Sequence, residues 1–272
     1  MTESSRLRPL ETFDAGAITG LFTDIDDTLT RGGKLPATVY TMLERLAAAG
    51  IAIVPVTGRS AGWAHLILHH WPVHAVVAES GGILIHRDAR GRPCWLWHDT
   101  PERVAADRAR IETLAAQVLR ETPTLAPAND NAFRLVDVAI DHCETLASPA
   151  PPADIARAIA RFEAAGFRAR ASSVHINVWH GDFDKAPMAL RYLAEIRGET
   201  DAAAADRWAF VGDAPNDESM FAAFGHSVAV ANLLPHRDAL AALPAYVTRA
   251  SHGEGFVELA AHLLAARAAR RA

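Results

Sequence analysis

The sequence contains few cysteines, with only Cys94 and Cys143 in 272 residues. Two cysteines cannot build the disulfide framework of a small secreted protein, so we expect both to be free thiols in a reducing compartment. The first residues lack the basic-then-apolar order of a secretory signal peptide. No apolar run reaches the roughly 20 residues that a membrane-spanning helix needs. We therefore expect a cytoplasmic protein with no membrane partner.

The chain also lacks any block of lysines and arginines. It has 27 basic and 32 acidic residues, which gives a formal net charge of −5. An excess of negative charge offers no electrostatic attraction to nucleic acid or to an anionic membrane surface. The G-x-G-x-x-G turn of dinucleotide-binding oxidoreductases is missing as well, because acids stand where its glycines would be needed. Nucleic acid is therefore not an expected partner, and a nucleotide-dependent oxidoreductase is excluded.

What the chain does have is a high hydrophobic content. Half of its residues are hydrophobic, enough for a sizeable core in one large domain or two unequal ones. Strands and helices alternate over residues 18–78 as in a parallel, doubly wound α/β sheet. Hairpin patterns then take over, and the first pattern returns from Asp184. We expect a Rossmann-like core of residues 1–83 and 183–272, into which residues 84–182 are inserted as an α+β unit.

Acidic residues are concentrated after the first predicted strand. The segment Ile18–Leu29 ends an apolar run in Asp24, Asp26 and Asp27. Open α/β sheets bind their ligands at the carboxyl ends of the strands, so these carboxylates lie where chemistry is expected. Three acids in four residues repel one another unless a cation or a buried hydrogen-bond network holds them. An acidic loop without a function is the alternative.

Polar residues also follow other elements of the predicted core. They are Thr57, Gly58 and Arg59 after the second strand, Lys185 at the start of a helix, and the segment Gly212–Asp217 after a later strand. Strands of one parallel sheet end at the same edge, so we expect these residues to lie close together. Carboxylates suit a hard divalent cation, whereas a lysine and a threonine hydroxyl suit a phosphate. Jointly they indicate a site for a cation and a phosphate.

Four segments of the sequence resemble the four motifs of the haloacid dehalogenase (HAD) superfamily of phosphohydrolases. These segments are Phe22–Thr28, Val56–Arg59, Lys185 and Gly212–Asp217, and the resemblance covers almost the whole chain. The lysine comes after a large insert, and too few residues follow Asp26 for a cap at that point. This arrangement is similar to the IIB branch, whose inserted unit is a C2-type cap. The branch includes Cof-like sugar phosphatases, sucrose-phosphate and mannosylphosphoglycerate phosphatases, and phosphomannomutases.

The resemblance implies an aspartyl-phosphate mechanism with Mg²⁺ as the cofactor. Asp24 would attack phosphorus, and Asp26 would protonate the leaving alcohol and then activate water. The ligands of Mg²⁺ would be the carboxylates of Asp24 and Asp213 and the backbone carbonyl of Asp26. The phosphoryl oxygens would be held elsewhere in the same site, by groups that provide electrostatic stabilisation.

The resemblance assigns the phosphate-binding role to Thr57, the amide of Gly58, Lys185 and Asn216. It places Asp217 behind them, orienting Lys185 or the water around the metal. These residues would surround the transferring phosphoryl group, so most of the catalysis would come from positioning and charge.

Some residues depart from the family pattern or lie outside it. Asp27 stands where glycine is common, and we interpret it as a loop residue that points away from the site rather than as a third ligand. Ala186 replaces the usual glycine after the lysine. We interpret Arg59 as a structural ion-pair residue and Ser80–Gly82 as an ordinary turn.

Substrate selection is expected in the inserted unit, which would close over the strand ends and exclude water. Alternation in Val174–His180 places His175, Asn177 and Trp179 on one face of a strand. If the other face packs on helices, this face looks toward the active site, where its side chains suit a sugar. A partly solvated face without a ligand is the alternative. Arg134 is a weaker candidate for binding a second anionic group.

The expected activity is that of a phosphatase for a small phosphate monoester, with a phosphosugar as the expected substrate class. A phosphosugar mutase uses the same aspartate pair and is the main alternative. A non-catalytic phosphosugar-binding protein is a further alternative, although it would not need the proton donor Asp26. Dehalogenation is disfavoured, because those enzymes lack an acid at the position of Asp26.

Overall fold

The computed structural model of the chain describes residues 7–201 and 203–270. The strands in this part of the chain are β1 Arg8–Pro9, β2 Gly20–Thr23, β3 Ala52–Pro55, β4 Ala75–Ala78, β5 Ile83–Arg87, β6 Pro93–Trp97, β7 Ala126–Pro127, β8 Val138–Asp141, β9 Arg168–Ala171, β10 His175–Trp179, β11 Trp208–Gly212, β12 His226–Ala229 and β13 Tyr246–Val247. The α-helices are α1 Ala37–Ala48, α2 Ala61–His70, α3 Pro101–Glu121, α4 Pro152–Ala164, α5 Lys185–Arg191, α6 Glu218–Ala223 and α7 His252–Ala269.

Shorter helical segments connect these elements. The 3-10 helices are Leu10–Thr12, Glu79–Gly81, Asn131–Phe133, Ala205–Arg207, Pro215–Asp217 and Ala231–Ala239, and Tyr192–Ile196 continues α5 as a π-helix. Among the helices of the described residues, none is long and apolar enough to cross a membrane.

The main sheet is parallel and is covered by helices on both faces. Its strand order is β1-β13-β12-β11-β2-β3, and a parallel bridge between Val56 and Val77 joins β4 to its edge. Successive residues of β2 point to opposite faces, so Leu21 packs in one apolar cluster with α1, α2 and α7, and Phe22 in another with α5 and α6. The predicted doubly wound α/β class is confirmed.

The middle of the chain forms a second sheet with the order β7-β8-β10-β9. All of its pairings are antiparallel. Helices α3 and α4 cover one face and share an apolar cluster with it, to which β10 contributes Ile176 and Val178. This is the expected α+β unit, and the expected packing of the apolar face of β10 on helices is also found.

The hairpin of β5 and β6 lies on the core side of the expected boundary at residue 84. Strand β5 pairs with β4, and Ile85 belongs to one core cluster while Leu84 and Leu96 belong to the other. An antiparallel hairpin can thus extend a parallel sheet instead of starting a new unit. We propose a boundary after β6, and from here on the cap means residues 99–182.

One predicted strand is shorter than expected. The pattern over Phe133–Ile140 predicts a strand, but β8 begins only at Val138. The amides of Leu135, Val136 and Asp137 donate to the side-chain carboxylate of Glu79 instead of to a neighbouring strand. A side chain remote in sequence therefore takes the hydrogen bonds that a longer strand would need.

The contact between Gly20 of β2 and Trp208 of β11 can be tested by mutation. A Cβ atom at Gly20 would lie 2.4 Å from the indole ring of Trp208, and overpacking a core costs about 1–3 kcal/mol. We expect Gly20→Ala to lower the free energy of unfolding by about 2 kcal/mol in urea denaturation. Gly225→Ala is the control, because its Cβ would meet nothing within 4 Å. Equal losses in the two variants would contradict this packing.

Candidate active site

The carboxyl ends of β2 and β11 meet because the two strands are parallel neighbours, with Thr23 beside Val211. Asp24 directly follows the first strand, and Asp213 directly follows the second. Together with Asp217 they form a buried group of three carboxylates whose nearest oxygens all lie within 4.8 Å of one another. The structure thus brings together the acids that the order of predicted strands places at one edge.

Lys185, the first residue of α5, is the cation within this group. Its Nζ donates to Oδ1 of Asp24 at 2.8 Å and to Oδ1 of Asp217 at 2.6 Å. The other carboxylate oxygen of Asp217 accepts from the backbone amides of Asp213 and Ala214. Both oxygens of Asp217 are therefore engaged, and this residue orients Lys185 rather than facing a ligand.

One lysine against three buried carboxylates leaves an excess of negative charge. Burial raises the pKa of Asp24 to about 8, against the attraction of Lys185. Burial beside Asp24 also raises the pKa of Asp213 well above its usual range. For Lys185, burial is outweighed by Asp217 and Asp24, which hold its pKa above the usual range. A bound divalent cation offsets such an excess of charge, and the oxygen donors present fit a hard ion such as Mg²⁺.

Asp213 is held in place by two further side chains. The hydroxyl of Thr28 donates to one of its oxygens and Nδ2 of Asn232 to the other, both at 2.9 Å. Asn232 also donates to the backbone carbonyl of Asp27 and accepts from the amide of His252. It therefore joins the loop after β2 to the loop after β11 and to the start of α7.

Asp26 forms an ion pair with Arg59. Nε and Nη2 of Arg59 donate to the two oxygens of Asp26, each at 2.8 Å, and Nη1 donates to Glu144 at 2.6 Å. The second oxygen of Glu144 lies 2.8 Å from Nε2 of His175. The ion-pair interpretation of Arg59 is confirmed. Because Glu144 and His175 belong to the cap, this chain of charges also ties the cap to the core across the site.

Asp27 has a left-handed backbone conformation, with φ of 58°. Aspartate tolerates this region better than most residues, whereas glycine enters it freely. This explains why an aspartate can stand where the family commonly has glycine. One oxygen of its carboxylate is 3.9 Å from Nε2 of His252, and Asp27 is not part of the group of three carboxylates.

A closed pocket lies between the strand ends and the cap. It is lined by Asp24, Asp26, Gly58, Arg59, Ser172, Ser173, Val174, His175, Asn177, Asp213, Ala214 and Asn216. Its free volume is only about 10 Å³, which is room for about one water molecule. Thr57 and Lys185 are almost fully buried around it. As it stands, this pocket has no room for a ligand much larger than water.

The turn after β4 is not the ordinary turn that Ser80–Gly82 predicts. Glu79 and Ser80 both have positive φ, 49° and 56°, a strained arrangement for residues other than glycine. The amide of Ser80 donates to the carbonyl of Thr57, and the amide of Glu79 to that of Arg59. A Cβ atom at Gly81 would lie 2.1 Å from the carbonyl oxygen of Asp184. The turn therefore fixes the Thr57–Arg59 loop beside the start of α5.

The structure supports only part of the predicted recognition face of β10. His175 and Asn177 line the pocket. Trp179 does not, because it is 3% exposed, packs on Phe183 and donates from Nε1 to the carbonyl of that residue. Its predicted role in stacking on a sugar is corrected, since the end of β10 turns back toward the core and buries the ring there.

The candidate role of Arg134 in binding an anionic group is also corrected. Its side chain is fully buried. It donates to both oxygens of Asp130, to Asp137 and to the carbonyl of Gly58. The nearby carboxylates hold the pKa of Arg134 above its usual range despite burial. Its charge is thus already compensated by the protein, which leaves none for a substrate.

Residues 129–258 match the sequence model of the family described as haloacid dehalogenase-like hydrolase. Over this segment, which is just under half of the chain, the sequence is similar to HAD-like hydrolases. No curated protein matches it. The matched residues include Lys185, Asp213 and Asp217, but not the loop that carries Asp24 and Asp26. The loop that carries those two aspartates lies at the end of β2 beside β11, where Asp24 contacts Lys185.

Several solved structures share the HAD fold of the chain. A protein of Thermoplasma acidophilum is 19% identical with a TM-score of 0.70, over 90% of this chain and 98% of that one. Sucrose-phosphatase from Synechocystis is 16% identical with a TM-score of 0.61, over 90% and 97%. The C-terminal domain of trehalose-6-phosphate phosphatase from C. albicans is 13% identical with a TM-score of 0.68, over 97% and 99%. At these identities, the likeness establishes the fold.

Some residues of this site were given no role from the sequence. Thr28 and Asn232 hold Asp213, and Glu144 reaches Arg59 from the cap. Thr28 is part of the first motif, so its position offered a signal. Glu144 and Glu79 offered none, because each acts on residues far away in the chain.

The corrected position of Trp179 changes the expected effect of its removal. We expect Trp179→Ala to lower the free energy of unfolding by about 4 kcal/mol, because a buried tryptophan is replaced by a cavity. Trp95→Ala, at a site that is 38% exposed, is the control and should cost much less. Urea denaturation measures both. A selective rise in KM for one phosphate ester, with little loss of stability, would restore the recognition role.

The contact between Glu144 and the core should make stability depend on pH. His175 and Arg59 lower the pKa of Glu144 to about 2 from an ordinary 4.5. The ion pairs then stabilise the fold above pH 4.5 and lose that contribution as the pH falls toward 2. Between pH 5 and pH 3, we expect the wild type to lose about 1 kcal/mol more than Glu144→Gln, since partial exposure screens the pair.

The control for this pH dependence is Glu112→Gln. Glu112 forms an exposed ion pair with Arg108 on α3 and does not contact the core across the site. Urea denaturation of this variant at the two pH values should follow the wild type. If the free energy of unfolding depended equally weakly on pH in both variants, the loss of any carboxylate would explain the result, and the contact of Glu144 would not be needed.

Proposed function

We propose that the chain is a Mg²⁺-dependent phosphatase that hydrolyses a small phosphate monoester through an aspartyl-phosphate. The observation that carries the proposal is the pairing of Asp24 with Lys185, 2.8 Å apart, in a buried group of carboxylates. A second acid, Asp26, stands two residues further on and lines the same pocket. This set holds a nucleophile, a proton donor and a cation for phosphate at one point.

In the first step, a carboxylate oxygen of Asp24 attacks phosphorus. A new bond forms between that oxygen and phosphorus, and the bond from phosphorus to the ester oxygen breaks. Asp26 gives its proton to the departing oxygen, which leaves as a neutral alcohol. The phosphoryl group then remains on Asp24.

In the second step, water attacks the phosphoryl group while Asp26 takes one of its protons. The bond between Asp24 and phosphorus breaks, inorganic phosphate leaves, and both aspartates return to their starting state.

Charge and hydrogen bonds supply the remaining stabilisation. Lys185, the hydroxyl of Thr57 and the amide of Gly58 would hold phosphoryl oxygens. Asp24, Asp213 and the backbone carbonyl of Asp26 would hold Mg²⁺. When bound, the ion would offset the repulsion between Asp24 and the phosphate dianion.

Arg59 holds the proposed proton donor in place. Its guanidinium donates one hydrogen bond to each oxygen of Asp26. Each oxygen keeps a further acceptor position, because a carboxylate has about four lone-pair sites. The bond from Arg59 to Glu144 ties this arrangement to the cap.

A sugar phosphate is the substrate class we propose. Two neighbours in fold are named sucrose-phosphatase and trehalose-6-phosphate phosphatase. On the cap side of the pocket, Ser172, Ser173 and His175 offer polar groups over the nucleophile. Hydroxyl and imidazole groups suit the hydroxyls of a sugar.

The free thiols of Cys94 and Cys143 support a cytoplasmic location.

A phosphosugar mutase remains the rival function. It would use the same pair, Asp24 and Asp26, but would return the phosphoryl group to a sugar instead of to water. A mutase therefore needs a bisphosphate, which supplies the phosphoryl group of its aspartyl-phosphate. Phosphate release that proceeds without any bisphosphate favours the phosphatase.

The decisive measurement is phosphate release from a panel of phosphosugars and other phosphate esters, with Mg²⁺ and with EDTA. We expect release that requires Mg²⁺ and falls by at least about 1,000-fold in Asp24→Asn, because covalent catalysis loses its nucleophile. Asp26→Asn should lower release most for esters with poor leaving groups, since these need the proton most.

Asp27→Asn is the matched control, because it makes the same exchange one position beyond Asp26. Asparagine tolerates the left-handed backbone of this position, so activity should stay within about threefold of the wild type. No release from any ester by the wild type, with turnover of a sugar phosphate only when a bisphosphate is added, would replace the phosphatase by the mutase. Inactivity in both assays would leave non-catalytic binding of a phosphosugar as the remaining function.

A further inference from the structure

The backbone carbonyl of Gly58 accepts two hydrogen bonds from the cap. Nη1 of Arg134 donates to it at 2.9 Å and Nδ2 of Asn177 at 3.1 Å. Gly58 belongs to the core loop that follows β3, whereas both donors belong to the cap. The cap thus contacts the backbone of the phosphate-binding loop directly, and not only the space above it.

The other side of the same peptide unit is bonded within the core. The amide of Arg59, which shares a peptide plane with the carbonyl of Gly58, donates to Oγ1 of Thr57 at 3.0 Å. With its oxygen accepting this bond, the hydroxyl of Thr57 keeps its own proton free to donate. The orientation of this peptide plane therefore helps decide where the hydroxyl of Thr57 points. The amide of Gly58 belongs to the preceding peptide plane.

The two donors of the cap are rigidly held. Oδ1 of Asp137 accepts from Nη1 of Arg134 at 2.7 Å, and Oδ2 of Asp137 accepts from Nδ2 of Asn177 at 2.8 Å. The two carboxylate oxygens of Asp130 accept hydrogen bonds from Nε and Nη2 of Arg134. All four side chains are at most 5% exposed. Buried, paired charges of this kind have one arrangement, so the donors reach Gly58 in a fixed geometry.

Glu79 joins this network to the core. Its carboxylate accepts the amides of Leu135, Val136 and Asp137 from the cap and the amide of Ala61 from the core. The segment that carries Arg134 is therefore bound to the turn that also supports the loop at Thr57. The two contacts with Gly58 form only when the cap is seated on this turn.

The close approach of the cap explains why position 58 has no side chain. A Cβ atom on Gly58 would lie 3.1 Å from Oδ1 of Asn177, closer than the two atoms pack without a shift. Both hydrogens of the Asn177 amide are used, one on Gly58 and one on Asp137. Asn177 therefore lines the pocket because it holds the loop, and its amide group has no hydrogen left to donate to a substrate.

We infer that Arg134 and Asn177 are positioning residues for phosphoryl transfer, which set the phosphate-binding loop through the carbonyl of Gly58 when the cap closes. The inference rests on the proposed phosphatase function. Closure of the cap then does more than exclude water, because it aligns the Thr57 hydroxyl with the phosphoryl oxygens. An open cap leaves this peptide plane free to rotate and the loop misaligned.

A positioning role of this kind has a distinct kinetic signature. The loop holds the phosphoryl group, which is the same in every phosphate ester, and not the leaving group. Loss of the contacts should therefore lower kcat by the same factor for every ester, with little change in KM. A residue that recognises the sugar would instead raise KM for sugar phosphates and spare small esters.

The test uses Asn177→Ala and Arg134→Lys in the whole protein, with Mg²⁺ present. We expect each to lower kcat by about 10- to 100-fold, as for a small misplacement of reacting groups, with KM changed less than threefold. The factor should be equal for a sugar phosphate and for para-nitrophenyl phosphate. Arg134→Lys keeps a buried positive charge beside Asp130 and Asp137, so this variant is expected to fold.

The matched control is Asn131→Ala. The Asn131 amide makes two hydrogen bonds within the cap, to the carbonyl and amide of Ala139, and does not contact Gly58. This variant should lose stability in urea denaturation yet keep its kcat. An equal loss of kcat in Asn131→Ala and Asn177→Ala would reduce the role of Asn177 to the stability of the cap and overturn the inference. A loss that depends on the leaving group would overturn it in favour of substrate recognition.

A second measurement separates this inference from the proposed function. Hydrogen exchange of the Arg59 amide, followed by NMR on ¹⁵N-arginine-labelled protein, reports on the bond to Thr57 without any substrate. We expect exchange at least about tenfold faster in Asn177→Ala than in the wild type, and unchanged in Asn131→Ala. This outcome supports the positioning role even if no ester is hydrolysed. Unchanged exchange in Asn177→Ala overturns it, whatever the activity of the wild type.

Discussion

Buried negative charge at the ends of β2 and β11 is the constraint on which the rest of the site depends. Parallel pairing places Asp24 and Asp213 side by side with Asp217, and among the described residues Lys185 is the cation bonded to this group. Hydrogen bonds offset the cost of burying such charges, which accounts for those that Thr28 and other neighbours make to the group. The same excess of charge would favour a hard cation here, and the carboxylate of Asp24 lies beside the ammonium group of Lys185.

The cap is attached to the core by polar contacts around the pocket. Arg59 bonds Glu144, Glu79 binds three backbone amides of the cap, and Gly58 accepts from two cap side chains. Apolar contacts join the two units as well, because Val104, Val136 and Trp179 of the cap belong to an apolar cluster of the core. The seated position of the cap is therefore fixed by both kinds of contact.

Short-range patterns predicted most of the core and its acids. Apolar runs followed by polar residues located the strand ends, and Asp24, Lys185 and Asp213 meet because parallel strands end at one edge. Predictions failed where a distant partner decided the outcome. The strand expected from residue 133 starts at Val138, because Glu79 takes the intervening amides. No local pattern contains a partner more than fifty residues away.

The sequence by itself determined which chemical groups stand at the strand ends and which residues of β10 share a face, because both depend on local periodicity. Only the tertiary structure decided what each of those residues faces. Trp179 packs on Phe183 in the core, and Arg134 is enclosed by Asp130 and Asp137. The reason is that a side chain's role depends on the element packed against it, and the closing of the chain, rather than its local pattern, chooses that element.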